Sequence, residues 1–564
     1  MSSKEENPNI DKKDPESSNP DDDSSPDGDD EDEDAYRLRV YGTTEYQQGP
    51  RRRRSSLEGV DRGSVRRLSR RVSSQIRRSS SILQEQLPET PKGWIAFLTT
   101  ISCAALGYEI NVQRKLTKPP IIFGQFERGG VMESVYQKLS ATPTSILARN
   151  IRPSLFVGTR GQVASAAAYA LSGPPSSDGF VRFREVMKMT QDGATIGVDW
   201  EAPIHTKEAP LILTANRRKE NILQGRIREP VVIILHGINN DASFGYMQSL
   251  QRTFAKRGWN TASMNFRGVG GIPMTTPRGY NAAYTGDIRC LVQRVAARLE
   301  ENVPIFLVGN SLGANILTKY LGEEGLSGSL PSCVTGASSL GNPLQIHSAN
   351  IPFPLAVVMG MGVKRTVLNN IKTILQMNDR SFRHHLMKGM SRLRIGDYDK
   401  EVAPILIGND EVYPFSPRIG FNSGEDYWYS SSSYRFVRHI NIPLLNLTAS
   451  DDFLVTRPSR SRIGYCIANP NVMVVETRCG GHLGWQESSP EGGLVDFGAS
   501  SWADTATADF FESLMKTNIE KFGTPVGSRE EEEEDSVGHE EGSFAAESIR
   551  ADAARALSTI KSRL

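Results

Sequence analysis

The sequence has no long apolar run. Its one uncharged apolar stretch of note, Trp94 to Tyr108 (WIAFLTTISCAALGY), holds fifteen residues, short of the ~20 that a helix needs to cross hydrocarbon. Three roles stay open for it: an interfacial anchor, a thin span helped by polar flanks, or a helix packed on a folded domain. Cysteine is scarce as well. The five present (Cys103, Cys290, Cys333, Cys466 and Cys479) are odd in number and lack metal-ligand spacing. That argues against a disulfide framework or a zinc site and for reduced, mostly buried thiols. The N-terminus lacks both the apolar run of a secretory signal and the arginine-rich, acid-poor look of a transit peptide. Net charge is nearly absent, at +1, but the average hides strong segregation.

Residues 1–34 close in DDDSSPDGDDEDED with almost nothing apolar to bury, the composition of a disordered acidic tail. The sign then reverses. From Arg51 to Arg78 eleven arginines face two acids, and R-R-x-S recurs with Ser56, Ser69, Ser73 and Ser80. These serines are candidate sites for a basophilic kinase. Each phosphate adds about −1.5 to −2 charges, and each basic residue near an anionic leaflet is worth about 1 kcal/mol, so phosphorylation would release the segment from a membrane surface. The alternative is a solvated linker folded back on the acidic tail. No aromatic residue interleaves with these arginines, which argues against nucleic acid. At the other end, Glu530 to Asp535 is acidic, and Ile549, Ala553, Ala556, Ile560 and Leu564 stand at helical spacing. That reads as a short amphipathic helix or transient structure in a tail. The chain thus divides into a 1–92 tail, a 93–110 anchor candidate, one large α/β domain over 111–525, and a 526–564 tail.

Within the domain, FVRFREVMKMTQDGATIGVDW (180–200) alternates apolar and polar residues across a Gln191-Asp192-Gly193 turn and predicts a β-hairpin. VVIILHG (231–237) is a continuous β-branched run, as in a strand buried on both faces. A helix is expected over 246–257, a strand over 260–266, a helix over 287–300, and strands at 305–308, 332–337, 443–449 and 471–477, with a closing helix over 503–519. Strands alternate with helices, which implies a mostly parallel sheet with right-handed crossovers. Residues 344–435 break the alternation. They are helix-leaning and basic, and read as a cap over the site, able to lie on lipid, or as a plain helical excursion. Asn446-Leu447-Thr448 matches a glycosylation acceptor but falls in an expected buried strand.

The chemistry centres on IFLVGNSLGANILTK (305–319). A strand, a Gly309-x-Ser311-x-Gly313 turn and a helix make a nucleophile elbow, where larger side chains at the glycines would collide with neighbouring backbone. A serine hydroxyl needs a base, and the base needs a carboxylate to orient it. In such elbows the order is Ser, acid, His. NIPLLNLTASDDFLV offers Asp452, followed at once by Phe453-Leu454-Val455, with Asp451 as the alternative acid; NVMVVETRCGGHLGW offers His482 after two glycines. Of the eight histidines, only His482 fits both order and position. Backbone donors for the developing oxyanion are expected at Leu312 and Ile238. His236 is expected to hold that loop. Its H-x₄-D spacing to Asp241, seen in some acyltransferases, is read as coincidence; taken as real, it points to acyl transfer to an alcohol.

The run HGINNDASFGYMQSLQRTFAKRGWNTASMNFRGVGGIPMTTPRGYNAAYTGDIR, with VGNSLGANILTKYLGEEG, ASDDFLV and GGHLGW, resembles the YheT-like branch of the α/β-hydrolases, which includes the eukaryotic abhydrolase-domain proteins of subfamilies 1 to 3. KPPIIFGQF and FVGTRGQ look like the entry region of the eukaryotic members. The resemblance spans roughly 117–515. It implies an α/β-hydrolase fold, a mostly parallel sheet flanked by helices with an inserted helical cap, and a serine carboxylesterase or lipase acting on phospholipid, acylglycerol or medium-chain esters. By position it implies Ser311, Asp452 and His482 as the triad, and its eukaryotic members imply an N-terminal membrane anchor; no metal or other cofactor is indicated by the sequence. The acidic and Arg-Ser extension, the short anchor and Phe453, where a proline is common, depart from the pattern. Two other functions stay open: an acyltransferase using the same triad, and a non-catalytic membrane or signalling protein with R-R-x-S phosphorylation as its input.

Overall fold

The computed structural model describes residues 90–170, 180–204, 211–376, 379–406, 420–455, 457–488 and 501–522. Ser56, Ser69, Ser73 and Ser80, the two charged tails and the helix proposed near the C-terminus lie outside them.

The first element, helix α1 (Pro91–Leu116), extends beyond the apolar stretch because its polar C-terminal side finds partners. Glu109 and Gln113 are buried, accepting from Thr159 Oγ1 (2.9 Å) and donating to the Pro153 carbonyl (2.7 Å) respectively, while Leu98, Ile101 and Tyr108 stay exposed. Among the described residues no helix is long and apolar enough to cross a membrane. Strand β1 (Ile121–Phe123), helices α2 (Val131–Ser140) and α3 (Gly161–Ala170), the hairpin β2 (Phe180–Lys188) and β3 (Thr195–Pro203), and α4 (Leu211–Gln224) follow.

The sheet core is made by runs with no polar face. Strand β4 (Val231–Leu235) is buried at every residue, as a strand covered on both sides must be. Helix α5 (Gly245–Ala255), β5 (Asn260–Asn265), α6 (Gly286–Ala296), β6 (Ile305–Asn310), α7 (Leu312–Ser327) and β7 (Val334–Leu340) continue the alternation. The chain then leaves the sheet for helices α8 (Leu355–Asn369), α9 (Ile371–Ile374), α10 (Arg380–Met390), α11 (Ile395–Val402) and α12 (Gly424–Ser431). It returns as β8 (Leu444–Ala449), α13 (Arg457–Ser461), α14 (Ile463–Ala468), β9 (Val472–Thr477) and α15 (Trp502–Phe522).

The nine strands form one sheet in the order β1-β9-β8-β7-β6-β4-β5-β3-β2. From β5 to β9 all neighbours are parallel; β1, β3 and β2 join antiparallel at the edges. The sequence pattern anticipated the hairpin and the parallel strands but not β1, α2 or α3. Those elements are short and carried by the entry region rather than by a strong period. Aromatic packing locks α15 to the sheet, with Phe306 and Phe511 ring centroids 4.5 Å apart and Trp259 stacked 5.3 Å from Phe306. The free thiols are Cys103, exposed, Cys333, half-buried, and Cys290, Cys466 and Cys479, buried. Asn446 sits buried in β8, the strand in which the sequence pattern placed it.

Parallel strands bring their C-terminal ends, and the loops that follow them, to one edge of the sheet. The site is there.

Candidate active site

Ser311 sits between β6 and α7 at φ 54°, ψ −115°, a conformation that costs a non-glycine residue roughly 1–3 kcal/mol and persists only where its surroundings enforce it. The two glycines show how. A Cβ on Gly309 would lie 2.6 Å from the Ala314 Cα, and one on Gly313 would lie 2.5 Å from the His236 carbonyl oxygen. The Ser311 amide donates to the Leu340 carbonyl at 2.8 Å, which ties the turn to β7.

His482 follows β9 on a loop with Gly480, Gly481 and Leu483 all at positive φ. Its Nε2 lies 2.7 Å from Ser311 Oγ, and its Nδ1 lies 2.9 Å from Asp452 Oδ2. A carboxylate can only accept, so Nδ1 carries the proton toward Asp452 and Nε2 accepts from the serine. All three side chains are buried. Asp452 Oδ1 is held in turn by the amides of Leu454 (2.8 Å) and Val455 (3.1 Å). The alternative acid, Asp451, faces elsewhere: its Oδ1 accepts from the Gly481 amide at 2.8 Å and fixes the loop that carries His482.

On the opposite side, the loop after β4 packs on the serine, since a Cβ on Gly237 would lie 3.3 Å from Ser311 Cβ. The amide of Gly237 donates to Tyr246 Oη (2.9 Å) and that of Asn239 to Tyr280 Oη (3.4 Å). Ile238, between them, lines the same cavity as Ser311 and Leu312. His236 is fully buried, with Nδ1 2.7 Å from the Gly237 carbonyl and Nε2 accepting from the Phe266 amide at 3.2 Å. Burial pushes its pKa down to about 4. It is a neutral brace for the loop. Asp241 accepts from the Ser243 amide at 2.8 Å, which leaves it holding its own turn.

Three supports were not legible in the sequence. Ser165, on α3, accepts from the His482 amide at 2.7 Å. Gly161, at the start of α3, packs so closely that a Cβ there would lie 2.7 Å from the Asp451 carbonyl oxygen. FVGTRGQ therefore seats the histidine loop, and the small residues of GQVASAAAYA were the signal for that close approach. Arg267, in the NFRG run, is buried and pairs with Asp287 (2.7 Å) and with Asp192 of the β2–β3 turn (2.5 Å).

The serine opens on a cavity of about 220 Å³ roofed by the cap. Met359, Val363, Val367, Phe382 and Leu386 supply an apolar wall from α8 and α10. Asp399 marks a polar end, accepting from Ser348 Oγ and Trp428 Nε1, with burial raising its pKa to about 6. Among the described residues no cluster of His, Cys, Asp and Glu could hold a metal ion. A serine hydrogen-bonded to an imidazole, itself paired with a buried carboxylate, is an arrangement that can make the hydroxyl a nucleophile.

The family model described as Hydrolase_4 (serine aminopeptidase, S33) matches residues 227–394. An embryogenesis-associated protein, EMB8, of Picea glauca is 32% identical over 346 residues, which is 60% of this chain and 67% of that protein. The monoacylglycerol lipase of Saccharomyces cerevisiae is 29% identical over 267 residues, 46% of this chain and 55% of that one. Phospholipase ABHD3 of Mus musculus is 27% identical over 316 residues, 54% of this chain and 67% of that one. The match thus spans about two-thirds of the length of the first and third of these relatives and just over half of the second. With the mostly parallel nine-stranded sheet already described, these likenesses establish that the chain belongs to the abhydrolase-domain branch of the α/β-hydrolases and is a serine ester hydrolase.

Proposed function

We propose that the protein hydrolyses carboxylic esters of lipids, such as phospholipids, acylglycerols or medium-chain esters, through an acyl-serine intermediate. The observation that carries this reading is the row Asp452–His482–Ser311 ending in a cavity walled by apolar cap side chains. The names of the monoacylglycerol lipase and phospholipase relatives support it.

In this mechanism Ser311 Oγ attacks the ester carbonyl while His482 Nε2 takes the hydroxyl proton, and Asp452 steadies the resulting imidazolium. The carbonyl oxygen gains the negative charge and is met by the amides of Leu312 and Ile238, aided by the N-terminal dipole of α7. Collapse of the tetrahedral intermediate breaks the ester C–O bond, and His482 returns the proton to the departing alcohol. Water then enters, loses a proton to His482, attacks the acyl-serine and releases the fatty acid; the proton goes back to Ser311. The apolar wall holds the acyl chain, so the reacting carbonyl is presented in a site largely shielded from water.

The test is release of fatty acid by purified protein and by Ser311→Ala across phospholipids, acylglycerols and short esters, with an added alcohol. Release by the wild type that vanishes in the variant is expected. Transfer of the acyl group to the alcohol in preference to water would replace hydrolysis with acyl transfer. Equal background release from both proteins would sink the proposal.

A further inference from the structure

Helix α8 is apolar on two sides. Met359, Val363 and Val367 face the cavity, while Val358, Met361 and Leu368 are 56–58% exposed and stand with exposed Arg365 at spacings of three and four, one outward stripe. A helix apolar all round is normally buried. This one is not. Phe353 before it, Met387 on α10 and Leu393 after α10 are 70%, 62% and 71% exposed, so the cap displays more apolar surface than scattered single residues would.

The charge around the stripe is mainly positive; Glu401 of α11 pairs with Lys388 and Arg392, and Asp397 of α11 is exposed. From Ile351 to Ile395 the sequence holds eight Lys or Arg and one acid, Asp379, and Arg365, Lys372, Arg383 and Arg394 are exposed. An apolar face ringed by cations fits an anionic lipid surface. It does not fit a second copy of the same face, which would set like charges against each other.

The same helix reaches the chemistry. Asn239, next to Ile238, donates through Nδ2 to the Met359 carbonyl at 3.0 Å. A Cβ on Gly362 would lie 2.4 Å from the Asn239 side chain. At its far end Asn370 donates to the Gly268 carbonyl (3.0 Å) and accepts from the Met274 amide (3.0 Å). Helix α8 is therefore at once the outer face of the cap, a wall of the cavity and a neighbour of the loop that supplies the second oxyanion amide.

We propose that the outer face of α8, with the exposed residues of α10 beside it, is the surface by which the hydrolase seats on an anionic lipid leaflet, placing the cavity against its substrate. This deepens the lipid-ester reading, on which its functional meaning rests. Its presence does not need turnover to be tested.

The experiment is hydrogen exchange of the full chain with phosphatidylcholine vesicles, with and without phosphatidylserine, together with hydrolysis of vesicle-embedded against dissolved ester. Protection over 355–393 that requires phosphatidylserine is expected. In Met361→Glu/Leu368→Glu the ratio of embedded to dissolved ester rates should fall at least ten-fold, with an unfolding midpoint close to wild type. Vesicle binding with no protection of α8 would overturn the proposal, because the chain would then attach through other segments. Protection that rises with protein concentration without lipid would overturn it in favour of self-association. Because exchange reads the surface directly, absence of Ser311-dependent hydrolysis would count against the enzymatic reading and not against the surface.

Discussion

The floor of the site and its cap are built on different physics. The floor is backbone. Ser311 and Asp452 are fixed by main-chain hydrogen bonds from parallel strands and tight turns, and His482 by glycine-rich backbone seated on Ser165. The cap hangs on a few side-chain pins. Asn315 donates to the Ser431 carbonyl (2.8 Å), Asn370 to Gly268, and Asp399 joins the loop at Ser348 to Trp428 of α12. Asn239 donates to the Met359 carbonyl (3.0 Å) and Tyr427 Oη accepts from the Ala282 amide (3.2 Å); much of the rest is apolar side chain, some of it facing outward. A floor of this kind keeps reacting atoms in register, while a cap of this kind can yield to a substrate or a surface.

The sharpest way to test the floor is to remove its chemistry without its shape. Ser311→Ala should lower ester turnover by about 10⁶-fold and Asp452→Asn by about 10⁴-fold, measured as initial rates on a soluble ester. Asp451→Asn, which alters only a loop hydrogen bond, should cost less than about ten-fold. Equal losses for the two aspartates would break the assignment of the acid.

Next in size is the elbow itself. Gly313→Ala forces a methyl to within 2.5 Å of the His236 carbonyl, so the turn must distort. Turnover should fall by more than about 10²-fold with a lower unfolding midpoint, since a misplacement of about 1 Å is costly to catalysis. A Gly313→Ala protein of normal rate would mean that the backbone is less constrained than its contacts imply.

Arg267→Met removes one partner of a buried charge cluster and leaves Asp287 and Asp192 uncompensated, at a cost of about 3–5 kcal/mol in denaturant unfolding. The cap should respond more gently. Asp399→Ala leaves the Ser348 and Trp428 donors without their acceptor, about 1–3 kcal/mol. Its mark should be faster amide exchange over α11 and α12 with no change at β9. Uniform acceleration in both regions would erase the distinction between floor and cap.

The last test is a pH dependence. Asp504, buried on α15 and accepting from Ser249 Oγ at 2.6 Å, has its pKa raised by burial to about 7. Its folded pKa lies well above the ordinary aspartate range, so the folded state holds the extra proton. That stability is fully present below the unfolded pKa and is lost as pH rises to about 7. Asp504→Asn should therefore unfold at a higher temperature than wild type at pH 8, with little difference at pH 4.

The sequence by itself determined the sheet and the order of the chemistry. The β-branched run of β4 has no polar face to expose, and Gly309-x-Ser311-x-Gly313 can join a strand to a helix only where small residues allow the backbones to meet. Strand-end position then singled out His482, and the apolar residues Phe453-Leu454-Val455 directly after Asp452 ranked it above Asp451. Tertiary structure decided which of those two neighbouring carboxylates meets the imidazole, because one residue of difference in a tight loop reverses the direction of a side chain. It also decided that α3, far from the elbow in sequence, seats the histidine loop, and that α1 runs on past its apolar stretch through buried Glu109 and Gln113. Finally, it turned one side of α8 toward the cavity and the other toward solvent. Apolar spacing shows that both sides are apolar; only the packing of the cap on the loop after β4 settles which of them is left uncovered.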